Sequence, residues 1–250
     1  MINRRGLGAS CLATVVALLL GGCAVSSGTT ATEPSVRPAQ TSKSPAHHAR
    51  RVMTVHPVHR AATARPASHS TAATTARREL RGLAVHADGS LAGYSRAQFG
   101  SDWAYSGGCN TRDRILTRDL THVSYRPYTC IPVAGVLHDP YSGAVIHFSK
   151  SRPMQVQIDH VVAVANAWQT GAAGWSRADR RAFFNDPLEL LAVSGVLNDE
   201  KGDADASGWL PPHRSFDCSY VERQVAVKAK YGLWVTSAER STMAGVLARC

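Results

Sequence analysis

The sequence lacks a hydrophobic segment long enough to cross a membrane as a helix. Its main apolar run, Leu12–Leu20, follows Arg4 and Arg5 and is soon succeeded by small polar residues. A transmembrane helix needs about 20 apolar residues, whereas a short run behind basic residues is typical of a signal peptide. A multi-span membrane protein is therefore excluded, and the leader predicts export.

Acidic residues are scarce in the first third of the chain. Residues 1–23 carry two arginines and no acid, and residues 24–80 carry eight basic and two acidic residues. Residues 81–250 carry eighteen basic and sixteen acidic residues, so most of the net charge of +10 lies upstream. Bulk charge alone therefore does not predict that the C-terminal region binds a polyanion, although a local basic groove remains compatible with it.

The six cysteines include no CxxC pair, which disfavours a zinc site. Cys23 ends a Leu-Gly-Gly-Cys sequence that resembles a bacterial lipobox. This predicts a lipoprotein signal peptide over residues 1–22 and a lipid anchor at Cys23, with an ordinary secretory cleavage as the alternative. The four remaining cysteines predict two disulfides with three possible pairings, of which we favour Cys109–Cys130 and Cys218–Cys250.

Large apolar residues are almost absent from residues 23–81, which consist mainly of Ala, Thr, Ser, Pro, Arg and His. Such a composition cannot bury enough surface to order itself, so it predicts a disordered tether. Residues 82–250 mix helix and strand patterns without βαβ regularity, which predicts one α+β domain. Strands are expected at 133–137, 144–148, 154–158 and 188–193. Helices are expected after capping residues Asn110 and Ser176, over 220–231, and over 237–247 with Thr236 as its cap.

Three segments of this domain carry residues suited to phosphodiester hydrolysis, namely 155–160, 185–191 and 198–203. The reaction needs a base to deprotonate water and a cation to neutralise the growing negative charge. A strand that ends in Asp159 and His160 offers a carboxylate and an imidazole, and a short helix adds the amide of Asn198. Oxygen ligands from Asp159 and Asn198 suit Mg²⁺ or a similar hard cation better than zinc.

Residues 82–250 resemble the exported HNH endonucleases of the DUF1524 type, within the His-Me finger nucleases. The resemblance spans the domain and is carried by CNTRDRIL, IDHVVAVANAW, NDPLELLAVSGVLNDEKGDADASGWLPP and VKAKYGLWVT. It implies a ββα-metal core and cleavage of DNA with a divalent cation, Mg²⁺ in preference to Mn²⁺ or another ion. In this family His160 would be the general base, Asp159 and Asn198 the metal ligands, and Lys201 a residue near the scissile phosphate.

One position departs from that family. Glu189 stands where the middle Asn of HNH generally braces the catalytic loop, and an ionised carboxylate can only accept hydrogen bonds. The departure predicts a less efficient site.

Several of these residues have purely structural alternatives. Asn198 could cap a helix, and Lys201 could pair with nearby acids. Arg112 is a further candidate for substrate binding, with an ion pair to Asp113 or Asp119 as the alternative.

Two functions from different classes fit the sequence. The first is a monomeric HNH-type endonuclease that hydrolyses DNA, lipid-anchored at the outer face of the cell membrane or secreted. The second is a non-catalytic surface lipoprotein with a degenerate site that binds nucleic acid or a protein partner, as the presence of Glu189 allows. A purely structural envelope lipoprotein is less favoured, because it leaves the Asp-His and Asn-x-x-Lys arrangements without a purpose.

Overall fold

The computed structural model describes residues 70–250. The predicted signal peptide, the anchor at Cys23 and most of the predicted tether lie outside these residues. Within them, no helix has both the length and the apolar character needed to cross a bilayer.

The described chain has a mixed α+β fold, as predicted. Its helices are α1 (Thr71–Gly82), α2 (Thr111–Asp119), α3 (Val164–Gln169), α4 (Arg177–Phe184), α5 (Gly195–Lys201), α6 (Asp217–Tyr231) and α7 (Ser237–Leu247). Its strands are β1 (Tyr105–Ser106), β2 (Cys109–Asn110), β3 (Thr121–Tyr125), β4 (Pro132–His138), β5 (Val145–Ser149), β6 (Val156–His160) and β7 (Leu190–Ser194). The strands form three small antiparallel sheets, in the orders β1-β2, β3-β4-β5 and β6-β7.

Helix α1 shows that the predicted tether was wrong over residues 71–81. Ser70 caps this helix by accepting a hydrogen bond from the backbone of Ala73. Ala73, Ala76 and Leu80 are buried, and the helix packs on α6 and α7. Their spacing of three and four residues puts them on one helical face. The Thr-, Ala- and Arg-rich composition concealed this narrow apolar stripe.

Local signals located most other elements correctly. The predicted capping residues are confirmed at the starts of α2, α4 and α7, where Asn110, Ser176 and Thr236 each accept a backbone N–H three residues on. The third predicted strand begins later than expected, because Pro153–Gln155 form a 3₁₀ turn. Proline favours the first position of such a turn, since its φ is already helical.

The β6–β7 sheet separates two hydrophobic clusters. Leu191 and Val193 face the larger cluster, which also contains residues of α1, α3, α4, α6 and α7. Leu190 and Ala192 face the smaller cluster, which is formed with α2 and β4. Successive residues of a strand point to opposite faces, so β7 is buried on both sides. This burial holds the sheet that carries Asp159 and His160 in a fixed position.

Both predicted disulfides are confirmed. Cys109–Cys130 links β2 to the connection between β3 and β4, and Cys218–Cys250 links the start of α6 to the C-terminus. They close loops with sequence separations of 21 and 32 residues. On the chain-entropy estimate, loops of this length stabilise a fold by about 3–4 kcal/mol each.

Truncating Leu80 tests whether α1 is part of the folded domain. We expect Leu80→Ala to lower the free energy of unfolding by about 2–5 kcal/mol, because it leaves a cavity against α6 and α7. Arg78→Ala is the matched control, since Arg78 is exposed on the same helix. Urea unfolding followed by circular dichroism measures both. Equal stability of the two variants would contradict the docking of α1.

Candidate active site

Strands β6 and β7 and helix α5 form a β–β–α arrangement around the predicted site residues. Strand β6 ends in Asp159 and His160, β7 pairs antiparallel with it, and α5 follows β7 directly. Gly195 at the start of α5 allows a very close approach to the chain before β6, since a Cβ there would lie 1.9 Å from the carbonyl oxygen of Met154. Gly202, with φ of +52°, ends the helix.

A cleft of about 280 Å³ lies between β6 and α5. Asp159, His160 and Asn198, which the sequence predicted to act together, all line it. Its other charged lining residues are Arg96, Asp199 and Asp203. The tertiary structure thus brings a carboxylate, an imidazole and an amide to one cavity.

The carboxylate of Asp159 is buried and held from two sides. Lys201 Nζ donates to Oδ1 at 2.9 Å, and the hydroxyl of Tyr141 donates to Oδ2 at 2.5 Å. Lys201 Nζ also donates to the carbonyl oxygen of His160 at 2.9 Å. Each carboxylate oxygen has two lone pairs, so one acceptor position on each oxygen is left for a ligand. Burial, followed by the charge of Asp159, raises the pKa of Tyr141 well above its ordinary value, so this phenol stays protonated and continues to donate.

His160 is held as a neutral imidazole with a defined tautomer. Its Nε2 lies 3.0 Å from the carbonyl oxygen of Phe184, which can only accept, so Nε2 carries the proton. Nδ1 is then the unprotonated nitrogen, and it lies 3.4 Å from a guanidinium nitrogen of Arg96. Burial, with a further contribution from the charge of Arg96, lowers the pKa of His160 to about 3. The basic form is therefore the form present at neutral pH.

Aromatic rings fix the plane of this imidazole. Trp103 stacks on it with ring centroids 5.6 Å apart and an interplanar angle of 7°, and Phe184 lies at 4.5 Å. Because the stacked ring and the Phe184 carbonyl both constrain the imidazole, Nδ1 keeps its direction in the absence of a ligand.

Glu189, the position that the resemblance assigns to the middle Asn of HNH, braces the loop that follows His160. Its carboxyl is buried and accepts the backbone N–H of Val162 at 3.1 Å to Oε1 and 3.4 Å to Oε2. The side chain of Gln224 donates to the carbonyl of the neighbouring Val161 at 2.8 Å. Burial and the charge of Asp159 raise the pKa of Glu189 well above its ordinary value, which favours the neutral acid. Neutral Glu189 thus supplies the acceptor that this loop requires.

The oxygen donors of the cleft fit a hard divalent cation. Asn198 donates its Nδ2 to Gln157 at 2.7 Å, and its Oδ1 makes no hydrogen bond within residues 70–250. Asp159 adds a carboxylate, and Asp199 and Asp203 lie close by in the lining. Residues 70–250 contain no group of three or more His, Cys, Asp or Glu side chains suited to a metal. Mg²⁺ often binds through only one or two carboxylates and retains several waters, so a smaller donor set suffices.

Lys201 and Arg112, both predicted to contact the substrate, do not line the cleft. Lys201 is only 2% exposed and lies behind Asp159 rather than in the lining of the cleft. The structure therefore gives Lys201 a role in holding Asp159 instead of the predicted position near a phosphate. Its ion-pair partner, Asp159, is also not one of the acids close to it in sequence. Arg112 donates to the carbonyl oxygens of Pro153 and Val156, so it anchors the start of β6 instead of reaching the cleft or an acid.

Five residues around the site were not expected from the sequence. Tyr141 holds Asp159, Trp103 stacks on His160, and Arg96, Asp199 and Asp203 line the cleft. Arg96 and Trp103 precede His160 by more than fifty positions and belong to no motif, so local spacing could not identify them. The two aspartates lie in the segment 198–203, among the acids near Lys201 in the sequence.

The chain belongs to the family of GmrSD restriction endonuclease C-terminal domains, whose model matches residues 110–246. It is also 40% identical over 180 residues to an uncharacterized secreted protein of Arthroderma benhamiae, and this alignment covers 71% of the present chain and 86% of that protein. No solved structure matches significantly. The family range contains β6, β7 and α5, and it excludes Arg96 and Trp103.

Substitution of Glu189 tests the proposed brace. Glu189→Ala leaves the Val162 N–H buried without a partner, so we expect the free energy of unfolding to fall by at least about 1–3 kcal/mol. Glu189→Gln keeps an acceptor of similar size and should retain most of the stability. Chemical denaturation at pH 7 measures both variants. A Gln variant as unstable as the Ala variant would contradict a hydrogen-bonding role.

The buried His160 predicts a specific pH dependence of stability. The unfolded chain takes up a proton on this imidazole below a pKa of about 6.5, whereas the folded protein resists it down to about 3. The free energy of unfolding should therefore fall as the pH is lowered from 6.5 towards 3, by up to about 1.4 kcal/mol per pH unit. His160→Ala should show a shallower fall over that range. Parallel curves for the two proteins, from urea unfolding at pH 7 to 4, would be inconsistent with a neutral buried imidazole.

Proposed function

We propose that this protein is an exported endonuclease that hydrolyses DNA phosphodiester bonds with the help of one divalent cation. His160 is the general base, and Asp159 and Asn198 are the ligands of the cation. Membership of a family named for restriction endonucleases supports the reaction class. The roles of the individual residues rest on the geometry of the cleft.

The observation that carries the proposal is the state of His160. Its Nε2–H is committed to Phe184, which leaves Nδ1 unprotonated, and His160 lines the cavity together with Asp159 and Asn198. A general base must be unprotonated and within reach of the water it activates. A histidine buried only for packing would not require a carboxylate and an amide oxygen in the same cleft.

The proposed step is a simple hydrolysis. A water molecule next to His160 gives a proton to Nδ1 while its oxygen attacks the phosphorus atom. The bond from phosphorus to the leaving sugar oxygen breaks, and a proton from solvent completes the released hydroxyl. The hydrogen bond from Nε2–H to the carbonyl oxygen of Phe184 stabilises the imidazolium formed in this step.

A divalent cation bound by Asp159 and Asn198 would neutralise negative charge on the phosphate and on the leaving oxygen. The charges of the cleft support such a cation, because the lining contains three aspartates and one arginine. Lys201 and Tyr141 keep the carboxylate of Asp159 in one orientation without occupying all its lone pairs. We favour Mg²⁺ from the oxygen-rich donor set.

Export is part of the proposal and has two supports. The relative from Arthroderma benhamiae is described as secreted. Structural disulfides are found mainly in proteins of oxidising compartments, so the two disulfides fit a protein that acts outside the cytosol. The proposed lipid anchor at Cys23 rests on the lipobox-like sequence alone.

The alternative function, a non-catalytic binding module, was suggested by the presence of Glu189. This argument is weakened, because Glu189 accepts the hydrogen bond from the Val162 N–H that braces the loop. It predicts binding of DNA without cleavage, and the assay below therefore separates the two functions.

Cleavage of supercoiled plasmid by the purified protein tests the proposal. We expect nicking in Mg²⁺ that a chelator abolishes, and a loss of about 10²- to 10⁴-fold in rate for His160→Ala, the usual contribution of a general base. Asn198→Ala should raise the Mg²⁺ concentration needed for half-maximal rate.

His147→Ala is the matched control, since His147 is an exposed histidine on β5 that does not line the cleft. Its rate should equal that of the unsubstituted protein. Cleavage that persists in chelator, or that is equally fast in His160→Ala, would refute the assignment.

A further inference from the structure

Arg96 is the one cationic residue that lines the cleft in the part of the chain described by the structure. It begins a 3₁₀ turn, Arg96–Gln98, that lies upstream of the residues matched by the family model. The turn is fixed to the core at its far end, because Phe99 is 1% exposed and packs on the rings of Trp168 and Phe183. The position of Arg96 is therefore set by the fold rather than by an unanchored loop.

Among residues 70–250, the guanidinium of Arg96 makes one polar contact and one cation–π contact, both with uncharged groups. One nitrogen lies 3.4 Å from His160 Nδ1, and the guanidinium carbon lies 5.1 Å from the ring centroid of Phe184. Among the ion pairs of residues 70–250, none includes Arg96. A guanidinium has five N–H donors in a planar fork, so most of them remain for a ligand.

We propose that Arg96 binds the non-bridging oxygens of the scissile phosphate and leaves His160 Nδ1 when it does so. The inference rests on the proposed nuclease function and adds to it a residue that contacts the substrate. Nδ1 has a single lone pair, which cannot accept from Arg96 and from a water molecule at once. The guanidinium therefore has to move away before His160 can take a proton from water.

A phosphate in the cleft provides the reason for that movement. It offers charged oxygens that can accept two parallel N–H bonds, whereas neutral Nδ1 accepts only one. The face of Phe184 stabilises the guanidinium while no substrate is bound. Arg96 donates hydrogen bonds throughout and transfers no proton, so the balance of the hydrolysis is unchanged.

Charge in the cleft gives a second reason for this assignment. Asp159, Asp199 and Asp203 line the same cavity and would repel a phosphate. The buried ammonium of Lys201 offsets the charge of Asp159 but not that of Asp199 and Asp203, so the lining keeps an excess of negative charge. Apart from any bound cation, Arg96 is therefore the positive group of the cleft lining that attracts the phosphate of the substrate.

The test compares Arg96→Gln and Arg96→Lys with Arg177→Gln in the full chain. Arg177 is an exposed arginine at the start of α4, outside the cleft, so its substitution removes the same charge without touching the site. Binding of a fluorescein-labelled DNA oligonucleotide is measured by anisotropy with each substitution added to His160→Ala, so that cleavage does not interfere. Cleavage of the same oligonucleotide is measured with His160 intact.

We expect Arg96→Gln to weaken binding about tenfold to a hundredfold and to lower kcat/KM by at least as much, the usual effect of losing hydrogen bonds to a charged group. Arg96→Lys should fall between, because it keeps the charge and loses the fork. Thermal unfolding should be unaltered, which separates this role from packing. Arg96→Gln that matches Arg177→Gln in both binding and cleavage would overturn the inference.

Failure of this inference and failure of the proposed function give different results. If the unsubstituted protein cleaves DNA and Arg96→Gln behaves as the control, the nuclease stands and the phosphate contact is refuted. If no cleavage occurs but binding depends on Arg96 and not on Arg177, the nuclease assignment fails and the phosphate contact is supported.

Discussion

The buried ion pair between Asp159 and Lys201 fixes the relative positions of the strand and the helix that form the candidate site. It joins the end of β6 to the end of α5, and the same ammonium also holds the carbonyl of His160. Removing one partner of such a pair leaves an uncompensated charge in the interior, at a cost of about 3–5 kcal/mol. The site therefore depends on this contact before any ligand is bound, and Tyr141 completes it by donating to the other oxygen of Asp159.

Residues between β6 and β7 determine the chemistry of His160. Helix α4 ends at Phe184, whose carbonyl selects the tautomer, and Glu189 then holds the backbone N–H of Val162 just after the histidine. The orientation of the imidazole is thus set by groups that a motif of Asp-His and Asn-x-x-Lys does not include. Glu189 also shows that a buried carboxyl can hold this loop. Burial favours its neutral acid, which accepts the backbone N–H of Val162.

Residues 70–109, which precede the part of the chain matched by the family model, pack against the same domain. Helix α1 packs on α6 and α7, and the chain that follows it brings Arg96 and Trp103 into contact with His160. A domain limited to residues 110–246 would lack the stacked tryptophan and the arginine of the cleft. The N-terminal segment thus supplies two of the residues that surround His160.

The sequence alone determined much of the local structure and singled out Asp159, His160 and Asn198, which line one cleft. Caps at Asn110, Ser176 and Thr236 and the α+β class followed from short-range patterns, because a cap or a strand depends on neighbours within a few positions. The cysteine count predicted two disulfides, and the structure has the pairing that was favoured among three. Only the tertiary structure decided that 71–81 is helical and docked, that Lys201 and Arg112 serve the scaffold, and that Arg96 reaches the cleft. Each of these depends on which side chain fills a space created by distant parts of the chain, so the local sequence pattern does not decide it.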